Sequence, residues 1–477
     1  MGQKNTRQEK LRKAMTSFVT PLPGEDVGRK YTQLELIQDI DFLINTMEDV
    51  HPNLYFCISK EKAESLVEEL KLSLHDGFDR ICFYTKAARI VASFRDGHTS
   101  VYTPRDEYSR YIDTGGLLFP FEVDCSSGEI CILQSFSKEI HSVNDTIITS
   151  INGISAETIL NSMVSLFSYE RREMSLSVLS TLFGLLLFLL YGPCSTFTVV
   201  LCSAEENEET SVSGVTYERI KDLKNEGPIA EKDPYTFDIN REKSYAVLDF
   251  RAFDDLSRFK GFIRDMFEQI ETNGVKKLIV DLRKNGGGNS SLTEEFASYI
   301  TDKPFTQFSR MDLKISRQIR KYYSLMMKFF VPFPISLIPG KLLFGAPWKK
   351  GIGETVSSES KAKKHKPKHP FFTGRVIVLT SAYTFSSATG FSTAIQDNDL
   401  GIIVGAPTGG FPSTHGDSFP FSLPNTCLQC GVSHKFFVRP DGNEAPEPLY
   451  PDYLIDESEP NAKFDRVLEY AIHMKLN

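Results

Sequence analysis

The sequence predicts an α/β protein of several domains, because stretches with three different hydrophobic patterns follow one another along its 477 residues. Apolar residues recur at helical spacing in the first stretch, and short β-rich runs between polar turns make up the second. In the third stretch, strands alternate with helices. The expected segments are a disordered N-terminal tail over 1–29, a helical domain over 30–105, a β-rich module over 113–205, a linker over 206–240, and a core over 241–477 with an insertion over 304–370.

The first domain is predicted to be helical from its start signal and its periodicity. Thr32 and Glu35 have the spacing of a capping box, in which the two residues cap each other at the beginning of a helix. The apolar residues that follow recur at helical spacing up to Val50, and the pattern stops before Pro52. Two further segments, KEKAESLVEELKLSL and FYTKAARIVASF, are expected to continue as helices.

The second region becomes β-rich after Gly115, where GLLFPFEVD, EICILQSF and DTIITSING predict three short strands. It also contains the one candidate membrane span, the apolar run LSVLSTLFGLLLFLLYGP over 176–193. A run of about 17 residues is at the lower limit for crossing a bilayer. Because it includes serines, a threonine and a glycine and ends at Pro193, we expect a buried core helix, with a membrane span as the alternative.

The third region has the order strand, helix, strand that is typical of a layered α/β core. KKLIVDLR is almost entirely apolar before its acidic residue, which favours a strand buried on both faces. RVIVLT and LGIIVG are predicted strands that flank a small-residue helical segment, so the order strand, helix, strand is repeated. Within the insertion, the apolar, proline-broken segment 322–345 is predicted to line a substrate tunnel or to cover the site as a lid, with a satellite core as the alternative.

Composition and charge exclude some classes of protein. The net charge of −8 and the pI near 5.7 argue against a general nucleic-acid binder. The N-terminus has no apolar secretory segment, so an intracellular location is favoured, while Gly2 and Thr6 fit a myristoylation pattern that leaves weak membrane attachment open. Cys427 and Cys430 have metal-like spacing without a second pair, so we expect neither a metal nor a cofactor.

Three motifs contain residues suited to catalysis. The glycines 286–288 follow a buried strand, and such a loop exposes backbone N–H groups to an oxyanion or a phosphate, although it lacks the lysine of a P-loop. His98 lies in the segment DGHT, and Ser386 and Ser387 stand between a predicted strand and a predicted helix. A lone histidine or serine is more often structural, so only the combination of the three motifs indicates catalysis.

In chain order, the segments DGHT, DLRKNGGG, LTSAYTFSSATGFSTAIQDN and DGNEAPEPLYPDYLI resemble the tail-specific, or C-terminal-processing, serine peptidase family. The tricorn-like and retinoid-binding-protein-like branch, of Ser-His-Glu type, fits best. The resemblance implies that the β-rich module is PDZ-like and that the core is related to crotonase and Clp protease. It also implies a serine-type endopeptidase that acts on peptides or unfolded proteins, and the alternative is a non-catalytic binding protein of the same fold that holds an apolar ligand or a peptide.

The resemblance assigns the nucleophile and the oxyanion hole. In this family the nucleophile precedes a Gln-Asp or Lys-Asp pair by about ten residues, and Gln396 and Asp397 therefore place it at Ser386. The backbone N–H groups of Gly287 and Ser387 are then expected to hold the oxyanion.

The resemblance also assigns the base. Phe411 stands where many members carry a lysine, so a serine–lysine dyad is not expected. His98 matches the histidine of the other branch, and Glu444 best matches its distant glutamate, with Glu447 as the competitor. A histidine can take and return the serine proton, and a carboxylate orients it. His415 is the competing base.

Overall fold

The computed structural model describes residues 17–140, 146–202, 207–225, 233–330, 348, 350–364, 366–456 and 464–475. The myristoylation pattern in the first six residues lies outside these ranges. The rest of the expected tail is not free chain: Phe18 packs edge-on against Phe419, and the backbone N–H of Thr20 donates to the hydroxyl of Ser422. The prediction of disorder is therefore wrong for residues 17–29, since an aromatic side chain anchors them to a strand of the core.

The helical region begins as the sequence predicts. The Thr32 side chain accepts a hydrogen bond from the backbone N–H of Glu35, and the Glu35 carboxylate accepts from the backbone N–H of Thr32, so the capping box is confirmed. The first helix ends at Val50, before Pro52. The elements of this region are α1 (Gln33–Val50), α2 (Lys60–Ser73), α3 (Arg80–Ala92), α4 (Asp106–Asp113), β1 (Lys30–Tyr31), β2 (Phe78–Asp79) and β3 (Ser100–Val101).

The β-rich module is built on one antiparallel sheet whose strands follow the order β4-β5-β6-β8-β9, with β7 paired to β6. Its elements are β4 (Phe121–Asp124), β5 (Ile130–Ser135), β6 (Ile147–Ile151), β7 (Ile154–Ser155), α5 (Ala156–Val164), α6 (Arg172–Tyr191), β8 (Thr196–Cys202) and β9 (Asn207–Ser213). Helix α6 is long and apolar enough to cross a membrane, yet half of its most apolar window is buried inside the protein, which favours the core-helix interpretation. The PDZ-like character of the module stays a prediction.

The segment expected to be a linker, 206–240, is largely regular structure. Strand β9 completes the sheet of the module, and the segment continues with α7 (Tyr217–Asn225) and β10 (Tyr235–Asn240). Strand β10 pairs with the first core strand. The acidic, polar composition that suggested a linker instead belongs to edge strands, which tolerate charged side chains because one side faces water.

The core contains a six-stranded sheet in the order β10-β11-β12-β17-β18-β21, parallel from β11 onward. Strand β12 is buried along four of its five residues, as its apolar sequence predicts. The elements are β11 (Tyr245–Phe250), α8 (Leu256–Thr272), β12 (Lys277–Asp281), α9 (Ser291–Ala297), β17 (Arg375–Thr380), α11 (Ser387–Asp397), β18 (Ile402–Gly405), β21 (Tyr453–Leu454) and α12 (Arg466–His473). The α/β multidomain class is confirmed, and the relation to crotonase stays a prediction.

A second sheet joins the insertion to the core and to the helical region. Its order is β15-β14-β20-β19, and β3 pairs with β20, which fixes the segment around His98 against the core. The described part of the apolar insertion packs into the core, where Tyr322 contacts Phe419, and residues 331–347 lie outside the described ranges. The remaining elements are β13 (Pro304–Phe305), β14 (Arg310–Lys314), α10 (Arg317–Phe330), β15 (Thr355–Glu359), β16 (Lys363–Lys364), β19 (Thr414–Ser422) and β20 (Gln429–Val438).

Candidate active site

Ser386 lies at the turn between strand β17 and helix α11, where its backbone is strained. Its φ is 53° and its ψ is −123°, a combination that residues other than glycine rarely adopt. Ser386 occupies the N-cap position of α11, yet its side chain caps none of the helix amides. Because an N-cap serine usually accepts a hydrogen bond from the first helical turn, the hydroxyl group here is free for another partner.

That partner is His98. Its ring Nε2 lies 3.0 Å from the Oγ of Ser386, although the two residues are 288 positions apart. The ring stacks on Phe385, with centroids 4.9 Å apart and planes 24° apart. Burial lowers the pKa of His98 below its usual value, so the ring is neutral near pH 7 and its Nε2 accepts the hydrogen bond that the serine donates. The structure thus brings together the residues predicted as nucleophile and base.

The hydroxyl group of Ser387 has a different hydrogen-bond partner from that of Ser386. Its hydroxyl donates to the carbonyl oxygen of Gly288 at 2.7 Å, so the side chain holds the glycine loop in place. Its backbone N–H belongs to the first turn of α11, where amides have no acceptor within the helix. The geometry therefore leaves the amide of Ser387 suited to an oxyanion and its hydroxyl unsuited to attack.

Gly287 lies directly against the nucleophile, but its amide is already engaged. Its φ is 101°, and a Cβ atom at this position would lie 2.7 Å from the Cβ of Ser386, so only glycine fits. The N–H of Gly287 donates to the side-chain oxygen of Asn285 at 2.8 Å. This corrects the expectation that the amide is free to hold an oxyanion, because the buried Asn285 uses it to shape the loop.

The structure places Glu444 away from His98. Its carboxylate accepts a hydrogen bond from Arg310 at 2.8 Å, and its side chain is 42% exposed. Glu447, the competing choice, is also exposed, and its charge acts on Arg439. The expectation that Glu444 orients the histidine is therefore wrong for this structure, because a surface arginine satisfies the carboxylate.

The nearest ionised carboxylate to His98 belongs to Asp96, which the sequence analysis did not single out. Its Oδ1 accepts from the backbone N–H of His98 at 3.1 Å and lies 4.0 Å from the ring Nδ1. Its Oδ2 lies 3.1 Å from the Nε2 of His51, and burial would raise the pKa of Asp96, but this bond and the charge of His51 hold it well below its usual range. The DG turn before His98 was the available signal, since Asp side chains commonly bond the backbone two residues on.

His415, the competing base, lies in the same cluster, and its Nε2 has no hydrogen-bond partner among the described residues. Its ring contacts that of His51 with centroids 4.4 Å apart and that of Phe436 with centroids 4.6 Å apart. Burial lowers the pKa of His415 to about 3, because a charged ring would have no water around it. The carbonyl side of this residue is close enough to His98 to favour the protonated ring there, but it does not reach hydrogen-bond geometry.

A second buried carboxyl group, that of Glu170, completes the surroundings of His98. One oxygen of Glu170, one of Asp96 and a ring nitrogen of His98 all lie within 4.8 Å of one another. Burial, followed by the charge of Asp96, raises the pKa of Glu170 to about 8, so this acid keeps its proton near neutrality. A protonated acid beside a carboxylate whose oxygens already accept hydrogen bonds is a poor cation ligand, and we assign no metal to the cluster.

A cavity of about 550 Å³ opens beside Ser386 and His98. Among the described residues that line it there is no lysine, in keeping with Phe411 at the position where a lysine base would stand. Asp417 lies on one wall of the cavity, and its carboxylate accepts a hydrogen bond from the ammonium group of Lys435. The aromatic and apolar side chains of the wall are those of Tyr169, Met174, Val178, Phe308, Tyr383, Phe385 and Phe437.

Comparison with protein families gives the class of the molecule. Residues 244–453, which include the glycine loop and Ser386, match the model of peptidase family S41. The chain is accordingly a serine-type peptidase, a hydrolase. More particularly, the match over this segment supports the tail-specific serine peptidase family, S41, that the order of the motifs predicted.

Solved structures show how far the fold is shared. A serine-to-alanine mutant of CPAF aligns at 14% identity and a TM-score of 0.60, over 89% of this chain and 93% of that one. Mature CPAF aligns at 15% identity and a TM-score of 0.57, over 88% of this chain and 92% of that one. The complex of mature CPAF with lactacystin aligns at 14% identity and a TM-score of 0.57, over 88% of this chain and 93% of that one. At such identities the likeness shows the fold alone. No curated protein matches the sequence.

Proposed function

We propose that the protein is an endopeptidase in which Ser386 attacks the scissile carbonyl and His98 transfers the proton. The observation that carries this proposal is the 3.0 Å approach of the His98 Nε2 to the Ser386 Oγ, at a strained turn that directs the hydroxyl group into a cavity. A serine hydroxyl is a weak nucleophile at neutral pH, and an adjacent imidazole is the usual way to activate it.

The chemistry proceeds in two balanced steps. The Oγ of Ser386 forms a bond to the substrate carbonyl carbon while Nε2 of His98 takes the hydroxyl proton. The C–N bond then breaks as the same nitrogen gives this proton to the leaving amine, and an ester to Ser386 remains. A water molecule then attacks the ester carbonyl while His98 takes its proton, and the C–Oγ bond breaks as His98 gives this proton to Ser386, which releases the carboxylic acid product.

Two features of the site stabilise charge in this reaction. The backbone N–H of Ser387 is positioned at the helix start to hold the oxyanion, while the amide of Gly287 stays bonded to Asn285 and shapes the loop beside it. The imidazolium form of His98 is stabilised by the permanent charge of Asp96, 4.0 Å from Nδ1. In this proposal the acidic group comes from Asp96, on the base's own turn, and not from the C-terminal loop.

The cavity wall suggests the kind of substrate. Phe308, Phe385 and Phe437 offer apolar surface beside the nucleophile, so an apolar side chain next to the scissile bond of an unfolded or extended peptide is favoured. Asp417 and Lys435 neutralise each other at the rim, which leaves the wall without a net charge to attract charged side chains.

A serine-directed fluorophosphonate probe tests the proposal. We expect labelling of the native protein at Ser386, identified by mass spectrometry of the labelled peptide, and no labelling of Ser386→Ala. Ser387→Ala should still react, because only its backbone is used. A folded protein that takes no label, and that cleaves no peptide from a library of unfolded sequences, would instead favour a non-catalytic binding protein of this fold.

A further inference from the structure

The ring of His98 has a buried nitrogen that nothing bonds. While Nε2 faces Ser386, Nδ1 has no hydrogen-bond partner in the described part of the chain. When Nε2 accepts the serine proton, Nδ1 carries the ring hydrogen, and a buried donor without an acceptor is destabilised by the loss of its hydrogen bonds to water. The oxygen of Asp96 is 4.0 Å away, too far for a hydrogen bond, and it already accepts from the backbone N–H of His98.

A buried acceptor without a donor lies on the same side. The Oε2 of Glu170 also has no partner among the described residues, and the residue is only 4% exposed. A carboxylate oxygen of Glu170 lies within 4.8 Å of the other two members of the Asp96–His98 cluster. Since Nε2 faces Ser386, we take Nδ1 as the ring nitrogen on this side, so an unpartnered donor and an unpartnered acceptor lie in the same cluster.

The segment around Glu170 is fixed to its surroundings on both sides. The guanidinium group of Arg95 donates two hydrogen bonds to the carbonyl of Glu170, at 2.6 and 3.2 Å. Arg171 donates to the carbonyls of Pro407 and Thr408, at 2.9 and 2.8 Å. Ser168 donates to the carbonyl of the residue after His98. The β-rich module is thereby attached directly to the turn that holds the base.

The turn also leaves room for this carboxyl group. A Cβ atom on Gly97 would lie 3.0 Å from the Oε2 of Glu170, 2.8 Å from the ring of Tyr169 and 2.6 Å from that of Phe385. Glycine at this position therefore allows Glu170 to approach the backbone beside His98. Because the backbone of Glu170 is held, the distance from its carboxyl oxygens to Nδ1 depends on the rotamer of its side chain.

We infer that Glu170 is the positioning residue of His98, whose carboxyl group accepts the Nδ1–H of the ring and keeps Nε2 directed at Ser386. The β-rich module thus supplies a group to the active site that neither the serine segment nor the C-terminal loop provides. The ring proton stays on Nδ1 throughout, and the carboxyl group acts through the histidine without touching the substrate. This role rests on the proposed function.

The charged and titratable groups that face Glu170 are those of Asp96, Arg95, Cys57, Tyr169 and His98. Asp96 disfavours a second negative charge, and Arg95 favours it. A neutral Glu170 still accepts a hydrogen bond through its carbonyl oxygen, and the imidazolium formed during attack favours the ionised acid. We therefore expect kcat/KM of the wild type to rise further as the pH passes about 8, the pKa of Glu170.

Glu170→Gln is the direct test, with Glu173→Gln as the matched control, since Glu173 lies three residues on and its side chain is 51% exposed. Because glutamine keeps an oxygen acceptor but cannot ionise, we expect Glu170→Gln to lose the rise near pH 8 and to lower kcat by about 10-fold above that pH with KM unchanged, while the control matches the wild type. A kcat within about twofold of the wild type, with the same pH profile, would overturn the inference.

A spectroscopic readout keeps the inference testable if Glu170→Gln is unstable. With a peptide boronate bound to the nucleophile, the wild type should show a downfield Nδ1–H proton resonance from His98, and Glu170→Asp, shorter by one methylene, should lose or shift it. An unchanged resonance would count against Glu170. Ser386→Ala and His98→Ala are assayed in parallel, and activity in either variant contradicts the proposed function. If both are inactive while Glu170→Gln has wild-type activity, only the role of Glu170 is contradicted.

Discussion

The proposed nucleophile, Ser386, and the proposed base, His98, are held by two contrasting regions. Around Ser386, the supporting hydrogen bonds come from two short segments, the glycine loop and the start of α11. The backbone N–H of Phe385 donates to the carbonyl of Asn285 at 3.1 Å, and that of Gly390 donates to the carbonyl of Ser386 at 2.9 Å. With the bond from the Ser387 hydroxyl to the loop, this region leaves the nucleophile little freedom.

The region around His98 is assembled from segments far apart in the chain. His51 comes from the end of α1, Glu170 from the module and His415 from β19. It also contains three buried polar atoms without a hydrogen-bond partner in the described part of the chain: Nδ1 of His98, Oε2 of Glu170 and Nε2 of His415. Hydrogen bonds hold the segments around Ser386, whereas unpartnered polar atoms leave the surroundings of His98 able to rearrange. Substitutions in the two regions should therefore have different effects on activity.

The largest effects should come from the two reacting groups. Ser386→Ala and His98→Ala should each lower kcat by at least about 10³-fold, because neither the attack nor the proton transfer has a substitute. Ser387→Ala should be much milder, and steady-state kinetics on one peptide substrate compares all three. If Ser387→Ala alone abolished turnover, the nucleophile would be one residue further on.

Removing the negative charge of Asp96 beside His98 should have the next largest effect on kcat. Asp96→Asn should lower kcat by about 100-fold, because the imidazolium loses its nearest counter-charge. Since the charge of Asp96 raises the pKa of His98, the acid limb of kcat/KM, already below about 6.5 through burial, should move to lower pH in the variant. An acid limb at its wild-type position would show that Asp96 does not act on the base.

The stability of the same variant provides a separate check. The pKa of Asp96 is depressed in the folded protein, so its carboxylate stabilises the fold above the unfolded pKa of about 4, and this contribution is lost as the pH falls. Asp96→Asn should therefore lower Tm at pH 7 and have less effect in acid. Asp265→Asn, on an exposed helix position, is the control and should leave Tm unchanged.

Crowding the base-side turn should have a moderate effect. In Gly97→Ala the new methyl group would meet Phe385 at 2.6 Å, so the aromatic ring that stacks on His98 must move. We expect kcat to fall by about tenfold with the fluorophosphonate reaction slowed in proportion, since the histidine is displaced while the serine stays in place. Gly261→Ala is the control, because its backbone is helical and no described atom lies within 4 Å of the new methyl group. Equal rates in both variants would show that the turn tolerates displacement.

The smallest effect is expected at the C-terminal loop. Glu444→Gln should keep kcat within about twofold of the wild type, because its exposed ion pair with Arg310 is a surface interaction of at most about 1 kcal/mol. Kinetics over pH 5–9 checks this. A loss of kcat comparable to that of Asp96→Asn would mean that the loop reaches His98 during turnover, and the contrast between the two regions would fail.

The sequence by itself determined the features that depend on neighbouring residues. The capping box of α1, the apolar strand β12, the glycine loop after it and the serine at a strand-to-helix turn all follow from local spacing. The order of these motifs predicted the family and the α/β class as well. Each of these features is recognisable because its physical cause, a cap, a hydrophobic run or a conformation that needs glycine, lies within a few residues.

Only the tertiary structure decided which carboxyl groups lie beside His98. The family resemblance favoured Glu444, but in the folded chain that carboxylate bonds Arg310, while Asp96 and Glu170 lie beside His98. Packing also converted part of the expected linker into strands β9 and β10 and anchored the tail through Phe18. Burial and the pairing of charges depend on groups that are distant along the chain, and a single sequence records no distance between them.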